Sequence, residues 1–67
     1  MKVSARNMLK GKIDVTKGTT TAHVKIDVGG IVVTASITNA AVDDLKLAKG
    51  KDAYAVIKAS DVMIGID

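Results

Sequence analysis

Apolar and polar residues alternate with a period of two over much of the chain. The alternation runs from Leu9 to Val15 and ends at the turn-forming sequence Lys17-Gly18-Thr19. It resumes over residues 21–28, after which Gly29-Gly30 supplies the positive φ angles that a tight hairpin turn needs. The pattern therefore predicts two strands, with a hairpin leading from the second into a third.

A third strand and a short helix are predicted next. Residues 31–38 are rich in β-branched side chains, which favour a strand, and the strand ends at Thr38. Asn39 has the side chain of an N-cap and predicts a helix from Ala40 to about Leu47, with a Lys-Gly pair at its end.

The remaining residues predict two more strands. Ala53 to Ile57 alternate again, Lys58 to Asp61 interrupt the pattern, and Val62 to Ile66 are apolar on both faces. A lone small barrel tolerates such an edge strand poorly, so we expect the last strand to meet another subunit. Five strands with a helix between the third and fourth form the element order of an oligonucleotide/oligosaccharide-binding (OB) barrel. The predicted fold class is all-β with one short helix, in a single domain over residues 1–67.

The length and composition of the chain predict association between copies. A domain of 67 residues buries too little surface to be more than marginally stable alone. Disulfides and structural metals are the usual reinforcements, but the sequence has no cysteine and a single histidine, His23. No apolar run resembles a signal peptide or reaches the length of a membrane span, so we expect a cytoplasmic protein without a membrane partner.

The chemistry-bearing residues give little support to catalysis. There is no cysteine or glutamate, and His23 lies in the middle of a predicted strand, where a partly exposed cross-strand role is expected. No carboxylate and imidazole spacing suggests a bound metal ion. We therefore expect a protein that is not an enzyme and that carries no cofactor.

A net charge of +3 favours an anionic partner without identifying it. An OB barrel of this charge could bind nucleic acid, but single-strand binding depends on aromatic platforms, and Tyr54 is the only aromatic residue. At strand spacing Tyr54 is more often a core or interface residue than a platform. A nucleic-acid-binding module is therefore the alternative function rather than the leading one.

Two segments combine the donors that a small tetrahedral anion needs. Ser4-Ala5-Arg6-Asn7 and Lys58-Ala59-Ser60 each offer a hydroxyl group, a cation and free backbone N–H groups. Arg6 is the only arginine in the chain. From the residues alone, a shared oxyanion site and two ordinary polar turns remain alternative interpretations.

At these two segments the sequence resembles the molbindins, a family of small molybdate-binding proteins of bacteria. The resemblance extends over essentially the whole chain. The opening tetrapeptide and the closing Lys-Ala-Ser are specific in combination, whereas either alone would be weak. The matching residues are Ser4-Ala5-Arg6-Asn7, Leu9-Lys10-Gly11, Gly29-Gly30, Ile37-Thr38, Val42-Asp43-Asp44-Leu45, Leu47, Gly50 and Ala55 to Met63.

The resemblance implies a strand-exchanged dimer and a hexamer built as a trimer of dimers, with molybdate or tungstate bound between subunits. Storage or buffering of the oxyanion is the implied function, and a molybdate-sensing regulatory subunit is the alternative closest to it. The implied anion donors are Ser4, Arg6, Lys58, Ala59 and Ser60, with Asn7 holding its segment and Thr38 reaching in from a neighbouring subunit. Ala41 stands where the family often has a serine, which removes one hydroxyl from the neighbour's contribution.

Overall fold

The computed structural model describes all residues, 1–67, as a four-stranded antiparallel sheet with one short helix. No helix is long and apolar enough to cross a membrane. The first four strands and the helix occur in the predicted order, and each segment with an alternating pattern forms a strand. The elements are β1 (Asn7–Lys17), β2 (Thr21–Val28), β3 (Ile31–Thr38), α1 (Asn39–Asp44), β4 (Asp52–Ile57) and a 3-10 turn (Ala59–Asp61).

The long first strand holds the sheet together, because it pairs with two different strands along its length. The sheet order is β3-β2-β1-β4. Asn7 to Lys12 pair with β4, whereas Lys12 to Lys17 pair with β2. Gly11 lies where β1 changes partner, and a Cβ atom there would stand 2.1 Å from the backbone oxygen of Asp27. Only glycine allows so close an approach of the two backbones.

A small hydrophobic core lies on one face of the sheet, as the alternation predicts. The alternate residues of the strands point to this inner face, and Val42 of α1 packs against them. The other side chains of each strand form a largely polar outer face. The buried cluster consists of Ile13, Ala22, Val24, Ile26, Val42 and Ala55.

The helix differs from the prediction in its cap and its length. Thr38, rather than Asn39, is the N-cap, and its hydroxyl oxygen accepts a hydrogen bond of 3.0 Å from the backbone N–H of Ala41. The Asn39 side-chain amide instead donates to the carbonyl oxygens of Gly18 and Thr19 in the β1–β2 turn. The helix ends at Asp44 rather than near Leu47 because Lys46 adopts a left-handed conformation, with φ of 53°.

The predicted fifth strand does not form within the chain. Residues 62–67 follow the 3-10 turn without pairing to any strand, and their side chains are exposed. The four strands form an open sheet in which β3 and β4 are edges, so the single chain does not close into a barrel. A segment that is apolar on both faces needs cover on both sides, and no strand of the same chain supplies it.

An apolar groove runs along the inner face of the sheet and reaches Tyr54 and Val56 of the edge strand β4. Its volume is about 470 Å³, and its eleven lining residues are all hydrophobic. They come from β2, β3, β4, the segment after α1 and the N-terminus. The core of this small domain is therefore incompletely covered by its own chain.

Candidate functional site

The pairing of β1 with β4 brings the two polar segments together. Asn7 begins β1 opposite Ile57, the last residue of β4. The Asn7 side-chain amide also donates a hydrogen bond of 3.2 Å to the Ile57 carbonyl oxygen. Ala5 is buried, which holds the preceding segment against the domain. Ser4-Ala5-Arg6-Asn7 therefore lies beside Lys58-Ala59-Ser60, although the two are about fifty residues apart in sequence.

The turn after β4 leaves donors without partners in the chain. Lys58 keeps an extended backbone, with φ of −62° and ψ of 139°. The N–H groups of Asp61 and Val62 bond back to the carbonyl oxygens of Lys58 and Ala59 at 3.0 and 3.3 Å. Those of Ala59 and Ser60, at the start of the turn, have no such bond. The Ser60 hydroxyl is exposed beside them.

Two cations lie at this site, together with one carboxylate, that of Asp61 in the 3-10 turn. Arg6 and Lys58 are both exposed, and neither forms an ion pair. The two ion pairs of the chain lie elsewhere, between Lys12 and Asp52 and between Lys17 and Asp43. Two cations beside hydroxyl and N–H donors favour a small anion that accepts several hydrogen bonds.

Thr38 is the one predicted site residue that the fold does not bring to these segments. It ends β3 opposite Thr21, on an edge strand separated from β4 by β2 and β1. Its hydroxyl oxygen accepts from Ala41, but a hydroxyl group also has one proton to donate. Within one chain, Thr38 is a helix cap at a distance from the anion segments.

Removing the Thr38 hydroxyl should destabilise the domain. We expect Thr38→Ala to lower the free energy of unfolding by about 1 kcal/mol, because the Ala41 N–H loses its acceptor. Thr38→Ser keeps the hydroxyl oxygen, so its free energy of unfolding should stay close to that of the wild type. Thermal unfolding of the two variants at one protein concentration measures the difference, and equal losses in both would contradict the cap.

His23 has the structural environment that its position in the sequence predicts. It is exposed in the middle of β2, opposite Thr16 on one side and Ser36 on the other. No group of histidine and carboxylate side chains is arranged to hold a metal ion. His23 is therefore a cross-strand residue of the outer face.

The sequence predicts Tyr54 to be a core or an interface residue, and the structure shows that it does not belong to the core of the chain. It lies on the outer face of β4 and is 49% exposed, because Ala53, Ala55 and Ile57 take the inner positions. The ammonium group of Lys10, its partner in the register, lies 5.9 Å from the ring centroid. The period-two pattern of β4 already predicts this exposure, because it places Tyr54 and the buried Ala55 on opposite faces of the sheet.

A comparison with known families and curated proteins matches nearly the whole chain. The model of the TOBE domain matches residues 3–64. A probable molybdenum-pterin-binding protein of Haemophilus influenzae is 49% identical over 69 residues and is covered completely by the alignment, as is this chain.

Two solved structures share the fold closely. A molybdate-binding protein from Sporomusa ovata superposes with a TM-score of 0.92 at 34% identity, covering 98% of this chain and all of the other. The cytoplasmic molybdate-binding protein ModG, with molybdate bound, gives a TM-score of 0.93 at 39% identity. All of this chain matches 49% of the ModG chain.

Proposed function

The chain belongs to the TOBE-domain family, and from that premise we propose that it binds molybdate or tungstate reversibly, as a non-catalytic store or buffer of the oxyanion in the cytoplasm. The observation that carries this proposal is the meeting of Ser4-Ala5-Arg6-Asn7 with Lys58-Ala59-Ser60 at the end of the β1–β4 ladder. The relatives that bind molybdate support the choice of anion.

The anion is held as an intact tetrahedron by hydrogen bonds and charge, without a protein ligand to the metal. Ser4 and Ser60 donate through their hydroxyl groups, and the backbone N–H groups of Arg6, Ala59 and Ser60 add further donors. Lys58 supplies the positive charge nearest the oxygens. Sulfate carries the same charge but is smaller, so donors held at fixed separations discriminate by size.

We propose that the site is completed between copies of the chain. Residues 62–67 of a second copy cover the apolar groove as an exchanged strand and close the sheet into a five-stranded OB-like barrel. Three such dimers form a hexamer, in which Thr38 of a neighbouring copy donates to the anion. The exposed apolar side chains support this arrangement, since Met63, Ile64 and Ile66 are each about nine-tenths exposed in the single chain.

The proposed ligand is tested by calorimetric titration with molybdate, tungstate and sulfate, with the oligomeric state measured by light scattering in the same buffer. We expect heat from the first two anions, weak binding of sulfate, and the mass of a hexamer. Absence of heat with all three anions would overturn the oxyanion assignment, and a monomer would overturn the shared sites.

A charge in the last segment should break the assembly. Ile64 is 89% exposed in the single chain, so Ile64→Asp would be nearly neutral for a monomer. In the proposed assembly it buries an unpaired carboxylate, which costs several kcal/mol and should weaken association by at least about 100-fold. Light scattering over a dilution series measures this change. Asp67→Asn is the matched control in the same segment, and an unchanged mass for Ile64→Asp would contradict the exchange.

A further inference from the structure

The outer face of the sheet has two halves of different chemistry. On the half formed by β2, β3 and the end of β1, many outward side chains are hydroxyl groups, and the charges are of both signs, from Asp14, Lys25 and Asp27. The half formed by β4 and the start of β1 is basic and apolar instead. We call this second half, the outward side chains of residues 6–12 and 52–58, the basic strip.

The cations of the basic strip lie towards its two ends. Arg6 and Lys58 lie where the β1–β4 ladder begins, and Lys10 and Lys12 follow along β1. Lys12 donates to Oδ1 of Asp52 at 2.9 Å, and this hydrogen bond and the charge of Lys12 lower the pKa of the Asp52 carboxyl group. The strip therefore carries four cations and one ionised carboxylate, an excess equal to the net charge of the whole chain, +3.

Apolar side chains lie between these cations. Met8 and Val56 are register partners and are 44% and 43% exposed. Tyr54, the next outward residue of β4, is 49% exposed, and the ammonium group of Lys10 lies 5.9 Å from its ring centroid. Contiguous exposed apolar side chains with a charged border are typical of a surface that binds another protein.

We propose that the basic strip docks an extended, acidic segment of a partner protein, in which apolar side chains lie between carboxylates. Outward residues of a strand repeat about every 7 Å, so residues 6–12 present four steps over about 20 Å. A carboxylate at each end of the segment meets the cations, and two apolar side chains between them meet Met8, Val56 and Tyr54. The strip is only two strands wide, so the contact is weak and transient.

Two other occupants match the strip less well. A second copy related by two-fold symmetry would place the strip against itself and bring cations against cations, which is unfavourable. A nucleic-acid strand gains its affinity from several stacked bases, and Tyr54 is the only aromatic residue. A protein segment with carboxylates and apolar side chains complements both the charge and the apolar centre.

Docking and anion binding would use the same cations. Arg6 and Lys58 lie at one end of the strip and also belong to the proposed oxyanion site, so this step rests on the proposed function. A partner carboxylate that pairs with them weakens the hold on the anion, and a bound anion weakens docking by the same factor. An acidic partner would therefore displace the oxyanion as it docks.

The experiment titrates a fluorescein-labelled synthetic peptide, Glu-Ser-Leu-Ser-Leu-Ser-Glu, with the full chain in its native oligomeric state at low salt. Fluorescence anisotropy follows the binding, which we expect to be saturable. A peptide with glutamine in place of both glutamates should bind at least about tenfold more weakly. A peptide with serine in place of both leucines should bind at least about fivefold more weakly.

Two charge reversals test the location of the contact. Lys10→Glu should weaken binding of the acidic peptide about tenfold, while its affinity for molybdate stays within about twofold of the wild type. Lys49→Glu is the matched control, because Lys49 is exposed between α1 and β4 and its reversal changes the net charge equally. Its affinity for the peptide should stay within about twofold of the wild type.

A third variant tests the apolar centre. Met8→Ser should weaken binding of the peptide about threefold and leave the mass measured by light scattering unchanged, because Met8 is exposed. A lower mass would assign the strip to a contact between copies and would overturn the proposal. Binding to phosphatidylserine vesicles without binding to the peptide would overturn it as well.

The remaining outcomes separate docking from the proposed function. Equal binding of the glutamine peptide, or a Lys10→Glu protein that binds the acidic peptide as well as Lys49→Glu does, would overturn the docking. Saturating molybdate should weaken binding of the peptide at least about threefold, whereas sulfate at the same ionic strength should not. Equal affinities in the two salts would overturn the competition. Peptide binding by a protein that does not bind molybdate would remove only the oxyanion assignment.

Discussion

Replacing Lys58 with alanine is expected to weaken molybdate binding by about 10- to 100-fold, the effect of losing a hydrogen bond to a charged group. Lys58 is exposed, forms no ion pair and extends from the end of β4 beside the free N–H groups of Ala59 and Ser60. Its ammonium group is therefore available to an anion without first breaking a contact. Calorimetric titration of the variant with molybdate measures the loss.

The controls for Lys58 separate local charge from net charge. Lys25→Ala removes the same charge from the middle of the outer face and should leave the affinity within about twofold at moderate salt, where distant charges are screened. Lys58→Arg keeps the charge but has a different geometry, so its affinity for molybdate should fall between those of the wild type and Lys58→Ala. Equal affinities for Lys58→Ala and the wild type would remove the central charge from the proposed site.

Gly11→Ala should be the most destabilising single-methyl change in the sheet. The added Cβ would stand 2.1 Å from the Asp27 backbone oxygen and 3.0 Å from the Cγ2 atom of Ile26. A carbonyl group fixed beside a ladder of hydrogen bonds cannot move without disturbing the pairing of β1 with β2. We expect a loss of about 3 kcal/mol or more, which lowers the Tm by roughly 10–20 °C in a domain of this size.

The control for Gly11 is the same substitution at a glycine that is open in the single chain. Gly65 has an ordinary φ angle, and nothing lies within 4 Å of a Cβ atom there. In the single chain the added methyl group meets nothing, so Gly65→Ala should lower the free energy of unfolding far less than Gly11→Ala, even if residues 62–67 pair with a second copy as proposed. Thermal unfolding followed by circular dichroism compares the two variants, and a Gly11→Ala protein with the stability of Gly65→Ala would contradict the close approach of the backbones.

The strands could be predicted from the sequence because alternation is a local property. Each strand that buries one face shows that face in its own residues, as β2 does with Ala22, Val24 and Ile26. The helix cap was harder, since Thr38 and Asn39 are both good capping residues. The choice depends on where the β3 ladder ends, and Thr38 still pairs with Thr21. The prediction therefore placed the cap one residue too late.

The last segment shows why local pattern was insufficient at the C-terminus. Val62 to Ile66 carry strand-forming side chains, but a strand also needs a neighbour to accept its hydrogen bonds. Both edges of the sheet, β3 and β4, are free in the single chain, yet residues 62–67 pair with neither of them. Residue types alone cannot show whether the missing neighbour is in the same molecule.

The candidate site was predictable in its residue types but not in its assembly. Hydroxyl, cation and N–H donors could be identified in each segment, whereas their meeting depends on the register that places Asn7 opposite Ile57.

The uncovered groove should make the stability of the protein depend on its concentration. In the proposed assembly a second copy covers the apolar surface that one chain leaves open, so folding and association would share one equilibrium. By mass action, a dilute population of chains would then lose native structure more readily than a concentrated one. The abundance of the protein would then control both how many anion sites exist and how firmly each site is held together.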